Sequence, residues 1–147
     1  MDYRDYLVHY SPAEAPELYA DWAWLVGKSA LQQPLAMTSF GDLFFRGRWG
    51  RVMFLDTIEG VVTKFAKSPA QMEQLLHDPK HQERYLLSQL VTTMRSQGVV
   101  LSEGRIYFFK QPLLLGGEAV SANVETASMR VGISLTGQLH RQMGRRR

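Results

Sequence analysis

Two histidines have a spacing that could bind a metal. His77 and His81 are four residues apart, as two zinc ligands on one face of a helix would be. Pro79 lies between them, and no HExxH motif surrounds them. Because a helix interrupted at Pro79 cannot hold both rings on one face, we expect two solvated histidines at helix ends and no metal site.

Three carboxylates could in principle form a general acid and base set: Asp42, Asp56 and Glu59. Their positions beside a predicted strand and around a predicted turn are, however, ordinary ones for acidic residues. Gly116 and Gly117 could cradle an anion through backbone N–H groups, but a tight turn is the simpler interpretation. The sequence has no GxSxG, P-loop or dinucleotide-binding glycine motif. We therefore expect no catalytic residue, no cofactor, no small-molecule substrate and no enzyme activity.

A third group surrounds one tryptophan in "RGRWGR", where Arg46, Arg48 and Arg51 flank Trp49. These side chains could neutralise phosphates while the indole stacks on a base. They could also anchor a protein partner, which we favour over nucleic acid, since arginine and tryptophan dominate interface energetics. A solvated turn is the third interpretation. "GRWG" has the Gly-x-x-Gly form of the KH-domain loop, but that loop joins two helices and this one joins two predicted strands.

A competing partner face is acidic. Glu14, Glu17 and Asp21 lie in a first segment where Arg4 is the single basic residue before Lys28, and Trp24 follows them. The net charge of +3 comes from the end of the chain, at Arg145, Arg146 and Arg147. Removing these three from the 17 basic residues leaves as many as the 14 acidic ones. The sequence therefore predicts a neutral domain over residues 1–144 and a basic tail over 145–147.

The elements that position these groups follow from periodicity and capping. Residues 11–27 are typical of one helix, with a capping box from Ser11 to Glu14. Residues 41–66 predict a three-strand meander whose middle strand, "RVMFLD", is apolar on both faces. Helices are expected from Ser68 and over 81–96, with a loop at 32–34 and a strand at 105–110. Residues 127–143 fit a helix or a strand, and we prefer the helix. The fold class is α+β: one domain, with an antiparallel sheet formed by the meander and strand 105–110 and packed with helices.

The composition limits the setting. The chain has no cysteine, which excludes a disulfide scaffold and a thiolate metal site. The N-terminus is acidic and lacks an apolar core, and no apolar run is long enough to span a bilayer. We expect a cytoplasmic protein without a membrane partner.

Several motifs resemble one family. They are Phe40-Gly41-Asp42, Leu55-Asp56 with a turn glycine and a helix after it, Pro112 with Leu115-Gly116-Gly117, and "GQLHRQ". In this order they resemble the C-terminal domain of type VI secretion immunity proteins that neutralise DNase toxins, and they are distantly similar to the Smi/Knr immunity superfamily. The resemblance implies a cytoplasmic α+β protein that binds and blocks a cognate toxin and has no catalysis of its own.

One property opposes a nuclease partner, because proteins that occlude nucleic-acid sites are commonly acidic and only the first segment here is. The alternative function is a nucleic-acid-associated domain that uses the arginine-rich tip and the C-terminal tail, although a nucleic-acid partner is the less favoured expectation.

Overall fold

The centre of the protein is a five-stranded antiparallel sheet in the order β1-β2-β3-β4-β5. The computed structural model describes residues 2–145, with the backbone alone at Arg145. The strands are Leu7–Val8 (β1), Pro34–Thr38 (β2), Leu43–Arg46 (β3), Val52–Asp56 (β4), Val61–Ala66 (β5), Arg105–Phe109 (β6) and Val124–Ser128 (β7). The α-helices are Ala15–Leu18 (α1), Ala23–Val26 (α2), Pro69–Leu76 (α3), Pro79–Leu86 (α4), Ser88–Ser96 (α5) and Met129–Arg145 (α6).

The predicted meander is confirmed as β3, β4 and β5. Leu43 pairs with Leu55, and Phe44 pairs with Phe54. Because side chains alternate between the faces of a strand, the two phenylalanines share one face and the two leucines share the other. All four are at most 4% exposed, so the sheet is buried on both faces, as the pattern of β4 predicts.

Each face of the sheet has its own apolar core. The phenylalanine face packs with residues of α3, α4 and α5 and with Tyr107 and Phe109 of β6. The leucine face packs with Tyr19, Trp22 and Leu31 of the first segment and with Ile133 of α6. The result is a three-layer α+β domain, which confirms the predicted fold class.

Strand pairing differs from the prediction in two respects. Residue Pro34, expected in a loop, begins β2, and β1 extends the sheet further. The strand predicted at 105–110 exists as β6, but it forms a separate two-stranded sheet with β7. The two sheets meet at Ser39, whose N–H donates to the Tyr6 carbonyl at 3.1 Å and whose carbonyl accepts from the Tyr107 N–H at 2.8 Å.

The single helix predicted over residues 11–27 is wrong. The segment forms a 3-10 turn at Pro12–Glu14, then α1, a second 3-10 turn at Ala20–Trp22 and α2. Pro16 explains the first break, since inside a longer helix it would lack an N–H and clash with the preceding turn, whereas near the start of α1 it is tolerated. The Ser11 side chain forms no capping hydrogen bond.

The remaining helices follow their caps more closely. Ser68 caps α3 by accepting from the Gln71 N–H at 3.1 Å, as predicted. The helix predicted over 81–96 is two helices, α4 and α5, because Leu87 between them has a left-handed φ of 51°. The preferred helix for 127–143 is confirmed as α6, with residues 127 and 128 in β7. The predicted tail begins within α6, and its residues 146 and 147 lie outside the described residues.

Candidate functional site

The predicted tip is a short, closed loop between β3 and β4. Arg46 and Val52 form the last pair of the two strands. Beyond them, the Gly47 N–H donates to the Arg51 carbonyl at 2.7 Å, and the Arg51 N–H donates to the Arg48 carbonyl at 3.2 Å. These bonds enclose Arg48-Trp49-Gly50, which form a single 3-10 turn. The loop is therefore held at both ends by a central pair of strands.

Trp49 has an unusual backbone and an unusual exposure. Its φ of 56° and ψ of 29° place it in the left-handed region, where the backbone conformation of a residue with a Cβ costs about 1–2 kcal/mol. Its side chain is not core, because the residue is 82% exposed. The described contact of its ring is with Arg51, whose guanidinium carbon lies 5.3 Å from the ring centroid. The indole is thus presented to solvent at a cost in backbone energy.

The three arginines of the tip carry uncompensated charge. Arg46, Arg48 and Arg51 are all exposed. Within residues 2–145, none of them forms a salt bridge with a carboxylate. The structure therefore brings together the four predicted tip residues in one cationic, aromatic projection.

An open cavity of about 650 Å³ lies beside this projection. Besides the tip residues, the cavity is lined mainly by aliphatic side chains from α2, the following turn and the meander. We call this group the aliphatic wall: Leu25, Val26, Ala30, Met53 and Val62. The sequence interpretation missed this wall, because it placed Leu25 and Val26 in a single helix over residues 11–27. Trp49, the three tip arginines and the aliphatic wall together line what we call the tip groove.

The alternative acidic face is largely engaged within the protein. Glu17 forms a salt bridge with Arg130 of α6 at 3.0 Å. Asp21 is half-buried and accepts hydrogen bonds from the Ser134 hydroxyl and, at 3.5 Å, from Gln138 Nε2. Glu14 is exposed. Two of the three carboxylates therefore attach the first segment to α6, which reduces their availability to a partner.

The two tryptophans of the first segment differ in their surroundings. Trp22 is fully buried, and its Nε1–H donates to the Ile133 carbonyl at 3.0 Å. Trp24, the fourth residue proposed for the acidic face, lies on α2, is 39% exposed and stacks on Trp22 with ring centroids 6.1 Å apart. Trp24 supports the packing of Trp22 and keeps one face open.

Asp42 has a structural role. Its Oδ1 accepts from the Thr57 N–H at 2.8 Å and from the Thr57 hydroxyl at 2.7 Å, and its Oδ2 accepts from the Thr38 hydroxyl at 2.9 Å. Burial, and next the nearby Asp56 carboxylate, raise the pKa of Asp42 to about 7, while the hydrogen bonds from Thr57 and Thr38 act in the opposite direction. The carboxyl group joins β2 to the turn after β4.

The other candidate carboxylates are turn residues. Asp56 Oδ1 accepts from the N–H groups of Ile58 and Glu59, both at 2.9 Å, so it closes the turn between β4 and β5. Glu59 is exposed on the same turn. The hydrogen bonds of Asp42 and Asp56 therefore hold together the strand ends and the turn around them.

The histidine and glycine pairs also have local partners. His77 packs edge-on against Tyr3, whereas His81 contacts Phe65 and Tyr85. Among residues 2–145, no group of three histidine or acidic side chains is placed to hold a metal ion. The N–H groups of Gly116 and Gly117 donate to the carbonyls of Leu113 and Pro112, so they are used by their own turn. Within the described part of the chain, no helix is both long and apolar enough to cross a bilayer.

Comparison with known proteins identifies a family over half of the chain. The family model described as "T6SS immunity protein Tdi1, C-terminal" matches residues 66–140, from the last residue of β5 into α6. The tip at 46–51 lies outside this match. No curated protein matches the chain.

A solved structure shares the fold. The crystal structure of Atu4351 from Agrobacterium tumefaciens superposes with a TM-score of 0.63 at 15% sequence identity. The similarity covers 90% of this chain and 66% of that one, so the chain spans slightly less than two thirds of the length of Atu4351. This likeness concerns the fold alone.

Proposed function

The chain belongs to the family of the T6SS immunity protein Tdi1, C-terminal, and from this membership we propose that it neutralises a cognate antibacterial toxin by binding it directly. We further propose that the toxin is a nuclease and that neutralisation takes place in the cytoplasm, where a nuclease would reach DNA. In this proposal the protein acts as a binding partner and performs no catalysis.

One observation carries the direct-binding part of the proposal: Trp49 is 82% exposed and has a left-handed backbone. A tryptophan at this position gains little from burial and loses backbone energy, so folding alone does not explain it. Exposed strain of this kind supports a functional hypothesis. Since truncation of an interface tryptophan often costs about 2 kcal/mol or more, a toxin contact would account for the residue.

The rigidity of the tip strengthens the proposal. The hydrogen bonds between Gly47 and Arg51 and the strands behind them fix the loop before any partner arrives. A preformed loop loses little conformational entropy on binding, so more of its contact energy contributes to affinity. The acidic face offers less, because Glu17 and Asp21 already bind α6.

The test uses, as the candidate toxin, the product of the reading frame that adjoins the gene for this chain. Cells that express the toxin should stop growing and degrade their DNA, and co-expression of this protein should restore both. The double variant Trp49→Ala/Arg48→Ala should accumulate as a folded protein and fail to protect. Its matched control is Glu14→Ala, which alters an exposed charge of the alternative face and should protect fully.

The outcomes separate the parts of the proposal. Wild-type protein that neither protects nor binds the toxin would contradict the function itself. Toxin-treated cells that die with intact DNA would contradict the nuclease assignment and leave direct binding in place. Loss of protection in Glu14→Ala but not in the tip variant would move the binding site to the acidic face.

A further inference from the structure

The tip groove has two chemically different walls. One group of lining residues, the aliphatic wall, consists of Leu25, Val26, Ala30, Met53 and Val62. The other wall consists of Trp49 and the three tip arginines. The residues that line the cavity include no carboxylate. Lys64, which is exposed and pairs with Met53 in the sheet, adds a further positive charge on this face.

We propose that the tip groove binds an acidic segment of the toxin, in which an apolar side chain is flanked by carboxylates. This proposal rests on the proposed function and specifies the partner surface. The apolar side chain enters the cavity and contacts the aliphatic wall. The flanking carboxylates pair with Arg48 and Arg51, and Trp49 covers the inserted side chain at the edge.

Charge complementarity is the first reason for this occupant. The guanidinium groups of Arg46, Arg48 and Arg51 are exposed and lack a carboxylate partner among the described residues. A guanidinium group is a planar fork of donors that matches a carboxylate with two parallel hydrogen bonds. Exposed like charges that are close together repel each other, so an acidic partner relieves this repulsion as well as forming new bonds.

The aliphatic wall is the second reason, and it favours a protein over a nucleic acid. Single-stranded nucleic acids bind on aromatic platforms along a cationic track. Among the residues that line the cavity, Trp49 is the one exposed aromatic side chain, because Phe45 is only 4% exposed, and the aliphatic wall offers the methyl groups of Val26 and Ala30. Burial of aliphatic groups against another apolar surface lowers the free energy, and a protein side chain supplies such a surface. The volume of about 650 Å³ is large enough to take such a side chain.

The experiment measures binding of the adjoining toxin, inactivated by substitution, by titration calorimetry with three variants of the full chain. Arg48→Glu/Arg51→Glu reverses the cationic wall, Ala30→Asp places a charge in the aliphatic wall, and Val131→Asp is the matched control. Val131 is apolar and 54% exposed on α6, outside the groove. Thermal unfolding of each variant accompanies the titrations.

Reversing the two arginines should weaken binding by about 100-fold, and Ala30→Asp should weaken it by about tenfold. Val131→Asp should change it by less than about threefold. Arg48→Lys/Arg51→Lys keeps the charge without the fork, so an intermediate loss of about tenfold is expected. The wild-type affinity should fall as salt is added, and that dependence should shrink in the reversed variant. If Ala30→Asp does not fold, the two exposed arginines decide the test.

Three results would overturn the inference. If the wild type does not bind the toxin, the proposed function and this inference both fail. If the wild type binds and the arginine and Ala30 variants bind equally well, the toxin uses another face and only the inference fails. If a single-stranded DNA oligonucleotide binds the tip tightly and the toxin is indifferent to arginine reversal, the tip groove is a nucleic-acid site.

Discussion

Replacing Trp49 with glycine is expected to separate folding from binding more clearly than any other single change. The residue has a φ of 56° and is 82% exposed, so its backbone is strained in the folded state and its side chain contributes little burial. Glycine accepts this backbone without strain, whereas alanine retains a Cβ and most of the strain. Trp49→Ala is therefore the matched companion of Trp49→Gly.

The expected change in stability is small. Less than a fifth of the Trp49 surface is buried, and a buried tryptophan covers up to about 250 Å², so the loss of apolar contact is about 1 kcal/mol. Relief of left-handed strain raises the free energy of unfolding by about 1–2 kcal/mol, and the greater freedom of glycine in the unfolded chain lowers it by about 0.5–1 kcal/mol. Trp49→Gly should thus unfold within about 1 kcal/mol of wild type, and Trp49→Ala should be about 1 kcal/mol less stable than Trp49→Gly.

The expected change in toxin binding is large. Loss of a tryptophan anchor of about 2 kcal/mol or more corresponds to about 30-fold weaker binding or worse, in both variants alike. Urea unfolding gives the stabilities, and titration with inactivated toxin gives the affinities. A loss of about 3 kcal/mol or more in the stability of Trp49→Gly would show that the indole is a core group. Unchanged affinity in both variants would show that the tip is a solvated turn.

Three further predictions concern the scaffold. The pKa of Asp42 is raised from 3.8 to about 7, so its stabilisation is complete below pH 3.8 and is lost as pH rises through 7. Asp42→Asn, which resembles the protonated acid, should remove a pH-dependent term of up to about 4 kcal/mol between about pH 4 and about pH 7, and an unchanged pH profile in urea unfolding would refute this. Gly60→Ala should destabilise by about 2 kcal/mol or more, because φ is +74° and the new Cβ would lie 2.3 Å from His140 Nδ1; a wild-type melting temperature would contradict it. Gly137→Ala should also destabilise, since its Cβ would lie 2.6 Å from the Asp21 carbonyl oxygen, whereas a gain of about 1 kcal/mol in the same melt would mean that α6 is free at this point.

Local signals in the sequence predicted those elements that depend on local chemistry. Runs of strand-forming residues around Phe44 and Phe54, bounded by glycines, were sufficient for the meander, and Ser68 with Pro69 was sufficient for the start of α3. Such signals act within a few residues of the chain, so they do not require knowledge of the partners. The composition of the tip was equally visible, because its arginines and tryptophan are adjacent.

Features that depend on distant contacts could not be predicted in this way. β6 pairs with β7 across a connection in which no periodic pattern indicates the partner. Pro16 could have indicated the first break in the first segment, but the second break lies where the side chains of Tyr19 and Trp22 donate to the carbonyls of Gly41 and Ile133. The aliphatic wall of the tip groove exists only because this segment folds against the meander. The left-handed conformation of Trp49 has no signal in residue type, since a tryptophan is unfavourable there.

Amide hydrogen exchange on the complex with inactivated toxin tests direct binding through the tip groove most directly. Binding of the toxin should slow exchange in two segments that are distant in sequence, 46–51 and 25–30, while α6 exchanges as in the free protein. Slowed exchange at 14–21 and along α6, with the tip unchanged, would contradict this prediction and assign binding to the acidic face.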